Sequence, residues 1–419
     1  MRFALTFNSN RLKVKFNQIL VAEALMKITV LGAAGKMAPG VIRDLAGAPE
    51  VKEIVLVDLA STRQVLEQRA SGWGNHKATT VVADITDSES LRAAIRGSNA
   101  LANCTIYYFN LQVMEACLAE GVHYVDMGGL FHVARKQMPL SDQWKARHLT
   151  AVLGMGSAPG IVNVMSRYAV DLLDTVDAIH IRDGIVNLAK SDTPLAIPYA
   201  LGTLLDEFIM NPYIFENGDW KEVRPFCGAE EIDFPPPVGT QTVYCTLHSE
   251  EATIPVTFKS KGLKQMTFKL ALPKAFDEKL RFLVALGLGS KEPVQVGDVA
   301  VSPRDFLVAV TDRLPKSAAK PADHKVLRVD VSGEKDGQSL DIRVEMICDP
   351  YTPWDMGTGP HSVGVPVGVT CRMLGSGIIT RRGALPAEAC VPPEPFFKLL
   401  AERNLRTAVM VKNFLNSES

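Results

Sequence analysis

The sequence predicts an α/β protein with two parts: a doubly wound parallel sheet in the N-terminal third and an α+β domain after it. Three observations predict this fold. From Met26 onward, short β-branched segments alternate regularly with helix-like segments. The first of these segments runs directly into a glycine-rich turn. After Gly160 the alternation stops, and longer strand patterns and a hairpin take its place.

Six short strands are predicted in the first part, each followed by a segment with helical character. They are KITVLG (27–32), EIVLVD (53–58), TTVVAD (79–84), ALANCT (100–105), VHYVDM (122–127) and TAVLGM (150–155). The helical segments include DSESLRAAIRG, capped by Asp87 or Ser88, and LQVMEACLAEG, which ends at Gly121. Repeated strand–helix–strand units require right-handed crossovers and a parallel sheet covered on both faces. We expect this domain to span residues 26–155.

The middle of the chain, residues 156–350, is predicted to be the α+β domain. It contains strand-like AIHIRDG, helical LGTLLDEFIM and strand-like YCTLHS and TFKLAL. Two alternating segments, 326–334 and 339–347, flank the polar turn KDGQ and predict an antiparallel hairpin. Residues 351–419 begin glycine- and proline-rich (GTGPHSVGVPVG), and their helices VTCRMLGSG and EPFFKLLAER are predicted to return to the first domain.

The composition is that of an ordinary globular protein. The 419 residues include 45 basic and 46 acidic side chains, a formal net charge of −1, with 47% hydrophobic and 22% charged residues. This balance argues against nucleic acid as a partner, and no apolar run is long enough for a membrane helix. The seven cysteines include no CxxC pair and no zinc-like spacing with histidine, so no metal site is predicted and a reducing, cytoplasmic location fits best.

The first 25 residues are basic, with Arg2, Arg11, Lys13 and Lys15 against Glu23 alone. Two interpretations stay open: an organelle presequence, or an irregular upstream extension.

The turn after the first strand reads GAAGKMA, with Gly32, Gly35 and Ala38 spaced three apart. A dinucleotide pyrophosphate needs close backbone approach, positive φ and free N–H groups at a helix N-terminus. Asp58 follows at the end of the second strand, where a carboxylate can bind ribose hydroxyls. The pattern therefore predicts a Rossmann domain that binds NAD through Gly32, Ala34, Gly35, Lys36, Met37 and Asp58. NADP is the alternative, because Arg63 is close enough in sequence to hold a phosphate.

Several longer stretches resemble the saccharopine dehydrogenase family: GAAGKMA, VVADITDSESLRAAIRGSNALANC, YYFNLQVMEACLAEGVHYVDMGG, GMGSAPGIVN, FPPPVGTQTVYCTLHSEEATIP and LPAEACVPPEPFFKLLAER. This resemblance implies a Rossmann domain coupled to an α+β substrate domain, nicotinamide-dependent chemistry at carbon–nitrogen bonds, and a homodimer formed through the second domain's sheet. The Ala158-Pro159-Gly160 turn is similar to the lysine 6-dehydrogenase branch, whereas saccharopine-forming members usually carry Asp-Pro-Gly.

The resemblance and the strand ends together suggest the remaining site residues. Tyr107 matches a family position near the nicotinamide, or else packs with Tyr108 under the cofactor. Asp126 ends the fifth strand and is expected to bind an ammonium or accept its proton, or else to cap a helix. Arg182 is expected to clasp an α-carboxylate bidentately, although an exposed strand arginine is the competing interpretation. The other predicted substrate contacts are His248 and Asn163, with a structural histidine as the competing interpretation of His248. The other predicted cofactor contacts are Gly156, Pro159, and Asn103 and Thr105 through side chain or backbone.

These residues predict an NAD(P)-dependent dehydrogenase that oxidises the ε-amine of L-lysine to a semialdehyde. Three alternatives are open. One is a saccharopine- or carboxynorspermidine-like reductase that couples an amine to a carbonyl. Another is a regulator that binds NAD without turnover, and the last is a homospermidine-synthase-like transferase. In every case the expected partner is a small molecule and not a nucleic acid or a membrane.

Overall fold

A computed structural model describes residues 26–189, 195, 197, 199–314 and 319–413. The predicted N-terminal extension, residues 1–25, lies outside the described residues. The described chain forms two large sheets, and one hydrophobic core runs through both parts of the molecule. It includes Ile28 and Val30 in the first sheet, Ile181 in the second, and Val367 and Phe396 near the C-terminus.

The first part alternates strand and helix as predicted. In chain order its elements are β1 (Met26–Leu31), α1 (Ala38–Gly47), β2 (Val51–Asp58), α2 (Arg63–Trp73), β3 (Ala78–Val82), α3 (Ser88–Ile95), β4 (Ala100–Asn103), α4 (Asn110–Glu120), β5 (His123–Asp126), α5 (Leu130–Gln137), α6 (Ser141–Ala146) and β6 (Thr150–Leu153).

The strand order β3-β2-β1-β4-β5-β6, all parallel, is the doubly wound Rossmann order. The predicted caps are present. Asp87, not Ser88, caps α3 by accepting from the N–H groups of Glu89 and Ser90, and Gly121 ends α4 with φ of 74°. The carboxyl ends of all six strands therefore lie at one edge of this sheet, where the predicted cofactor residues are found.

The second part contains a mixed sheet and its covering helices. Its elements are α7 (Ile161–Asp171), β7 (Thr175–Asn187), α8 (Leu201–Ile209), β8 (Tyr213–Glu216), β9 (Asp219–Glu222), β10 (Glu230–Asp233), β11 (Thr240–Cys245), α9 (Glu250–Thr257), β12 (Gln265–Leu270), α10 (Lys274–Ala285), β13 (Val294–Val296), β14 (Val299–Val301), α11 (Pro303–Thr311), β15 (Asp323–Lys335) and β16 (Gln338–Cys348).

The long strand β7 lies at the centre of this sheet, parallel to β12 and antiparallel to β15. The predicted hairpin is formed by β15 and β16, which pair from Lys325↔Cys348 to Lys335↔Gln338. The two turn residues, Asp336 and Gly337, have φ of 51° and 74°. Positive φ at both positions is the geometry of a two-residue hairpin turn, which explains the Asp-Gly sequence.

The C-terminal segment comprises α12 (Thr358–Gly375), β17 (Gly383–Pro386), α13 (Ala387–Cys390), α14 (Pro393–Ala401) and β18 (Arg406–Asn413). Helix α12 packs on α1, and β17 adds a seventh parallel strand beside β6, so this segment returns to the first domain as expected. The last strand does not: β18 pairs with β16 in the second sheet. Both added strands depend on partners distant in sequence, which local pattern cannot reveal.

The stretch GTGPHSVGVPVG is helical from Thr358, although its glycine and proline content is not typical of a helix. Its glycines allow α12 to approach α1. A Cβ at Gly364 would lie 2.6 Å from the Met37 carbonyl oxygen and 2.8 Å from the Gly40 Cα. Helix α12 thus supports the start of α1 directly, where the glycine-rich turn ends.

Across the described ranges, no helix has the length and apolarity needed to span a bilayer. The same residues contain no group of three or more His, Cys, Asp or Glu side chains arranged to hold a metal ion.

Candidate functional site

The glycine-rich turn presses tightly against the end of β4. Gly32 has φ of 74°, and its N–H and that of Ala33 donate to the Val57 carbonyl oxygen at 2.9 and 3.1 Å. A Cβ at Gly32 would lie 2.8 Å from the Cys104 carbonyl carbon. Both the backbone angle and the close approach therefore require glycine at this position.

Asp58 anchors this turn from the end of β2. Its Oδ2 accepts from the Ala34 N–H at 2.8 Å, and its Oδ1 accepts from the Leu59 N–H at 2.8 Å. A carboxylate has about four lone-pair sites, so both oxygens keep capacity for ribose hydroxyls. Helix α1 then begins at Ala38 with no acidic residue in its first turn, which suits an anionic pyrophosphate. The predicted cofactor residues Gly35, Lys36 and Met37 lie between these two features.

Arg69 is a member of this loop region that sequence reasoning missed. Its Nη1 donates to the carbonyl oxygens of Ala33 (2.5 Å) and Gly35 (2.8 Å) from helix α2. The guanidinium therefore holds two carbonyl groups of the turn. Nothing in the local pattern of α2 distinguishes this arginine from its exposed neighbours.

Asn103 and Thr105 stabilise the turn after β4 by hydrogen bonding to each other. The buried Asn103 donates to Asn110 Oδ1 (3.0 Å) and to the Tyr124 hydroxyl (3.1 Å). Its Oδ1 accepts from the Thr105 N–H (3.2 Å) and hydroxyl (2.6 Å). A cofactor contact through the Asn103 side chain is therefore corrected, because that side chain is fully occupied within the protein, and a contact through its backbone stays a prediction.

The structure also corrects the predicted contact of Asp126 with an ammonium. The Asp126 carboxylate is buried, 1% exposed, and its oxygens bond to groups within the protein. Oδ1 accepts from the N–H groups of Gly128 (2.9 Å) and Gly154 (2.8 Å). Oδ2 accepts from three side chains, including the Tyr124 hydroxyl at 2.9 Å and the Gln137 amide at 2.7 Å. Burial raises the pKa of Asp126, and these donors act against that rise. Its geometry is that of a structural carboxylate which ties the loops after β5 and β6 together.

Tyr107 lies in a 3₁₀ turn (Tyr107–Phe109) after β4 and reaches across to the second domain. Its hydroxyl donates to Asp206 Oδ2 of α8 at 2.8 Å, and the Tyr108 hydroxyl donates to the same oxygen. Arg304 of α11 forms an ion pair with the other Asp206 oxygen. Tyr107 and Tyr108 also pack with ring centroids 4.4 Å apart, as an aromatic pair would, and the position of Tyr107 near the nicotinamide stays a prediction.

The turn after β6 is held rigidly by its own backbone and by Asn163. The Asn163 Oδ1 accepts from the Gly160 N–H at 2.8 Å, and its Nδ2 donates to Glu388 at 2.9 Å. The predicted substrate contact of Asn163 is corrected, because this buried amide stabilises the turn. Gly156 bridges to Gly160 within the turn. A Cβ at Gly154 would lie 3.1 Å from the Pro159 ring, so the proline packs against the end of β6.

Arg182 lies on the wrong face of β7 for its predicted role. Its Nε and Nη2 bond to Glu230 Oε2 at 3.0 and 2.8 Å, and its Nη1 bonds to the backbone and hydroxyl of Thr267. Arg182 is 5% exposed, and its guanidinium has no pair of free N–H groups left to bind a substrate carboxylate. Side chains alternate along a strand, so the neighbour Asp183 takes the opposite face.

That opposite face carries a second site residue missed in the sequence. Asp183 Oδ2 pairs with Lys325 Nζ of β15 at 3.0 Å, and the same Nζ lies 3.4 Å from Ser157 Oγ in the turn after β6. This chain joins the second sheet to the turn that follows β6.

His248 lies buried beside this group, and two carboxylates flank it. Its Nδ1 is 3.2 Å from Glu250 Oε2, and its Nε2 is 3.9 Å from Glu207 Oε2 of α8. The imidazole stacks on Phe268 with centroids 4.0 Å apart. The next residue, Ser249, has its hydroxyl 3.6 Å from the Cβ position of Gly154. The group therefore lies directly over the carboxyl end of β6.

Burial and mutual charge shift the proton affinities of this group. Burial raises the pKa of Glu207 to about 7, with the positive charge of His248 opposing the rise. Burial alone would lower the pKa of His248, but Glu250, Glu207 and Asp183 outweigh it and raise that pKa. Burial raises the pKa of Asp183 despite its pairing with Lys325. The pKa values of Glu207 and His248 are thus both raised, and perturbed pKa values of this kind are common at functional sites.

The fold and the cradle after β1 define a dinucleotide-dependent oxidoreductase whose second wall is a mixed sheet carrying titratable side chains. Two family models match the chain: the saccharopine dehydrogenase NADP binding domain over residues 28–152 and the saccharopine dehydrogenase C-terminal domain over residues 156–405. The chain belongs to the saccharopine dehydrogenase family. Its first domain accordingly binds NAD(P), and the protein belongs to a family of NAD(P)-dependent dehydrogenases.

Two curated relatives and one solved structure resemble the chain along most of its length. Carboxyaminopropylagmatine dehydrogenase of Synechocystis sp. is 25% identical over 91% of this chain and 96% of that protein. Carboxynorspermidine synthase of Vibrio alginolyticus is 25% identical over 77% of this chain and 80% of that protein. Apo saccharopine dehydrogenase (L-Glu forming) of Saccharomyces cerevisiae shares the fold, with a TM-score of 0.68 at 15% identity over 92% of this chain and 100% of that chain.

Proposed function

We propose that this protein is a reductase that joins a primary amine to an aldehyde, forming a secondary amine at the expense of NAD(P)H. The observation that carries the proposal is the buried set of His248, Glu207 and Glu250 over the end of β6. The relatives' names support it, since both denote carboxylated polyamines rather than a deaminated lysine. The coupling reaction therefore takes precedence over the lysine oxidation expected from the Ala158-Pro159-Gly160 turn.

Such a coupling needs two proton transfers at one place. The ammonium must lose a proton before its nitrogen attacks the aldehyde, and the hydroxyl of the adduct must gain one to leave as water. Glu207, with a pKa raised to about 7, is suited to accept the first proton. His248, with its pKa raised by the neighbouring carboxylates, is suited to return a proton to the hydroxyl.

The first domain supplies the other wall of this site. Gly32, Gly35 and the N-terminal turn of α1 would hold the cofactor's pyrophosphate, and Asp58 would hold the adenosine ribose. When bound, NAD(P)H supplies the hydride that converts the iminium carbon into the product's C–H. The Asp183–Lys325–Ser157 chain helps to fix the position of the second sheet relative to the turn after β6, since it connects β7 and β15 with that turn.

We infer the substrate classes from charge and from the relatives' names. The carboxylates of the second wall suit an amine with cationic nitrogen. Disconnecting the carboxyaminopropyl group at its C–N bond leaves a four-carbon α-amino acid with an aldehyde at its far end. We therefore propose agmatine or a short linear diamine as the amine, and such a semialdehyde as the carbonyl partner.

The test is a matrix of amines and carbonyls with NADH and NADPH, read by loss of nicotinamide absorbance and by mass of the product. We expect consumption of reduced cofactor only when an amine and the semialdehyde are both present. Reduction of NAD(P)⁺ by L-lysine alone would instead establish the deaminating reaction. Absence of both activities in protein that binds the cofactor would favour a binding role without turnover.

A further inference from the structure

Two carboxylate oxygens near His248 are buried without any partner. Asp183 is 2% exposed and Glu250 0% exposed. Within the part of the chain that the structure describes, neither Asp183 Oδ1 nor Glu250 Oε1 has a hydrogen-bond donor. Buried carboxylate oxygens are normally satisfied, so two unpartnered ones together indicate that a donor from outside the protein fits here.

The two side chains belong to one charged group. Each uses its second oxygen within the protein: Asp183 Oδ2 is 3.0 Å from Lys325 Nζ, and Glu250 Oε2 is 3.2 Å from His248 Nδ1. Ile181 pairs with Phe268 across β7 and β12, and Asp183 lies two residues further along the same face of the sheet. Because His248 stacks on Phe268, both carboxylates lie on this face of the sheet beside the imidazole. With Glu207, three carboxylates surround one lysine and one histidine, so the group can accept a further positive charge.

Helix α9 does not account for Glu250. Acidic residues in a first helical turn often interact with the free N–H groups there, and both Glu250 and Glu251 occupy that turn. Yet Glu250 extends to His248 and leaves its other oxygen unpartnered. Among the described residues both oxygens of Glu251 also lack a donor. Burial, followed by the nearby Glu250, raises the pKa of Glu251 well above its ordinary value, which favours its neutral form and makes it a poor receptor for a cation. The carboxylate of this helix that lies against His248 is that of Glu250, with Oε2 3.2 Å from Nδ1.

We propose that Asp183 Oδ1 and Glu250 Oε1 together form the receptor for a cationic nitrogen of the amine substrate. The proposal rests on the coupling function above and deepens it by naming the residues that recognise the amine. Two acceptors on separate side chains match the three donors of an ammonium or the fork of a guanidinium. The receptor adjoins His248, so a nitrogen held there lies next to the groups that exchange protons.

The decisive variant is Glu250→Gln, tested in the full-length protein. It keeps the shape and the bond to His248 but removes the charge. We expect KM for agmatine or 1,4-diaminobutane to rise roughly tenfold to a hundredfold, the loss of one charge-assisted hydrogen bond, with KM for the aldehyde unchanged. Asp183→Asn should act in the same direction, although it also removes the partner of Lys325. Glu251→Gln, on the same helix and equally buried, is the matched control and should change neither constant.

Amine binding to the complex with oxidised cofactor, measured by calorimetry, gives a readout without turnover. If wild type binds the amine and Glu250→Gln does not, the receptor stands even where no coupling is found, and only the proposed reaction fails. Binding of n-butylamine then shows which nitrogen the receptor holds. If Glu250→Gln weakens binding of n-butylamine and of the diamine equally, the receptor holds the reacting nitrogen. If it weakens binding of the diamine alone, the receptor holds the second cation of the diamine. The proposal is overturned if wild type binds no amine, if Glu250→Gln changes nothing because water satisfies the oxygen, or if Glu251→Gln weakens binding equally.

Discussion

The two walls of the candidate site, one from the Rossmann domain and one from the second domain, are built from different kinds of chemical group. On the Rossmann side the turn after β1 and the turn after β6 present mainly backbone, fixed by Gly32, Asp58, Asp126 and Asn163. On the second-domain side the site consists of largely buried charged side chains from β7, α8, α9 and β15. A backbone wall suits a cofactor shared by many enzymes, whereas a side-chain wall can change its substrate by single substitutions. Variants of the two walls should therefore affect different constants.

The largest effect is expected at His248. Replacing it with glutamine removes the group proposed to return a proton, so kcat should fall roughly a hundredfold to ten-thousandfold. The dissociation constant of the cofactor should stay unchanged, because His248 belongs to the opposite wall. Steady-state kinetics and a fluorescence titration of NADPH measure the two quantities.

His324→Gln is the control for this variant, because its imidazole pairs with the exposed Asp349 away from the crevice. A His248→Gln protein that loses cofactor affinity as strongly as turnover would contradict the separation of the walls.

The next effect separates the two faces of β7. Arg182→Ala should lower the free energy of unfolding by about 1.5 to 3 kcal/mol, because it removes charged hydrogen bonds to Glu230 and Thr267. Lys269 remains as a partner of Glu230, which favours the lower end of this range. Urea titration measures the change, and KM for the amine should not move.

Arg343→Ala removes a more exposed pair, Arg343–Asp330, and should cost about 0 to 1 kcal/mol. A tenfold rise in KM for either substrate in Arg182→Ala would restore the role first predicted for this arginine.

The same strand shows what the sequence could and could not predict. The six parallel strands, the hairpin and the glycine-rich turn follow from periodicity and turn chemistry, which are local. IRDG places an arginine and an aspartate next to each other, and only the burial of the sheet decides which one faces the crevice. Glu207 lies in LGTLLDEFIM, an ordinary amphipathic pattern, and becomes important only when α8 meets His248. The second wall is assembled from residues distant in sequence, so its members could not be identified by spacing.

A third prediction uses the proton held by Glu207. Because its pKa rises from 4.5 to about 7 on folding, the folded state keeps a proton that the unfolded state releases. The stability from this group is fully present below pH 4.5 and is lost as the pH rises through about 7. Between these values, wild type should lose on the order of 2 kcal/mol more unfolding free energy than Glu207→Gln. Urea titrations across this window test it, and parallel pH profiles for the two proteins would show that Glu207 is charged throughout.

The smallest effect is expected on the backbone wall, at Asp58. We predict that its carboxylate accepts from ribose hydroxyls and would meet the 2′-phosphate of NADP with like charge. Asp58→Ala removes both interactions, so NAD should bind more weakly while NADP binds equally or better, with Arg63 available for the phosphate. The ratio of the two dissociation constants should change by roughly tenfold. Asp58 also holds the Ala34 N–H, and a loosened turn would weaken both cofactors together without changing this ratio. Titration of both proteins with each cofactor therefore separates the two roles: a wild type that prefers NADP, or an unchanged ratio, would leave Asp58 as an anchor of the turn alone.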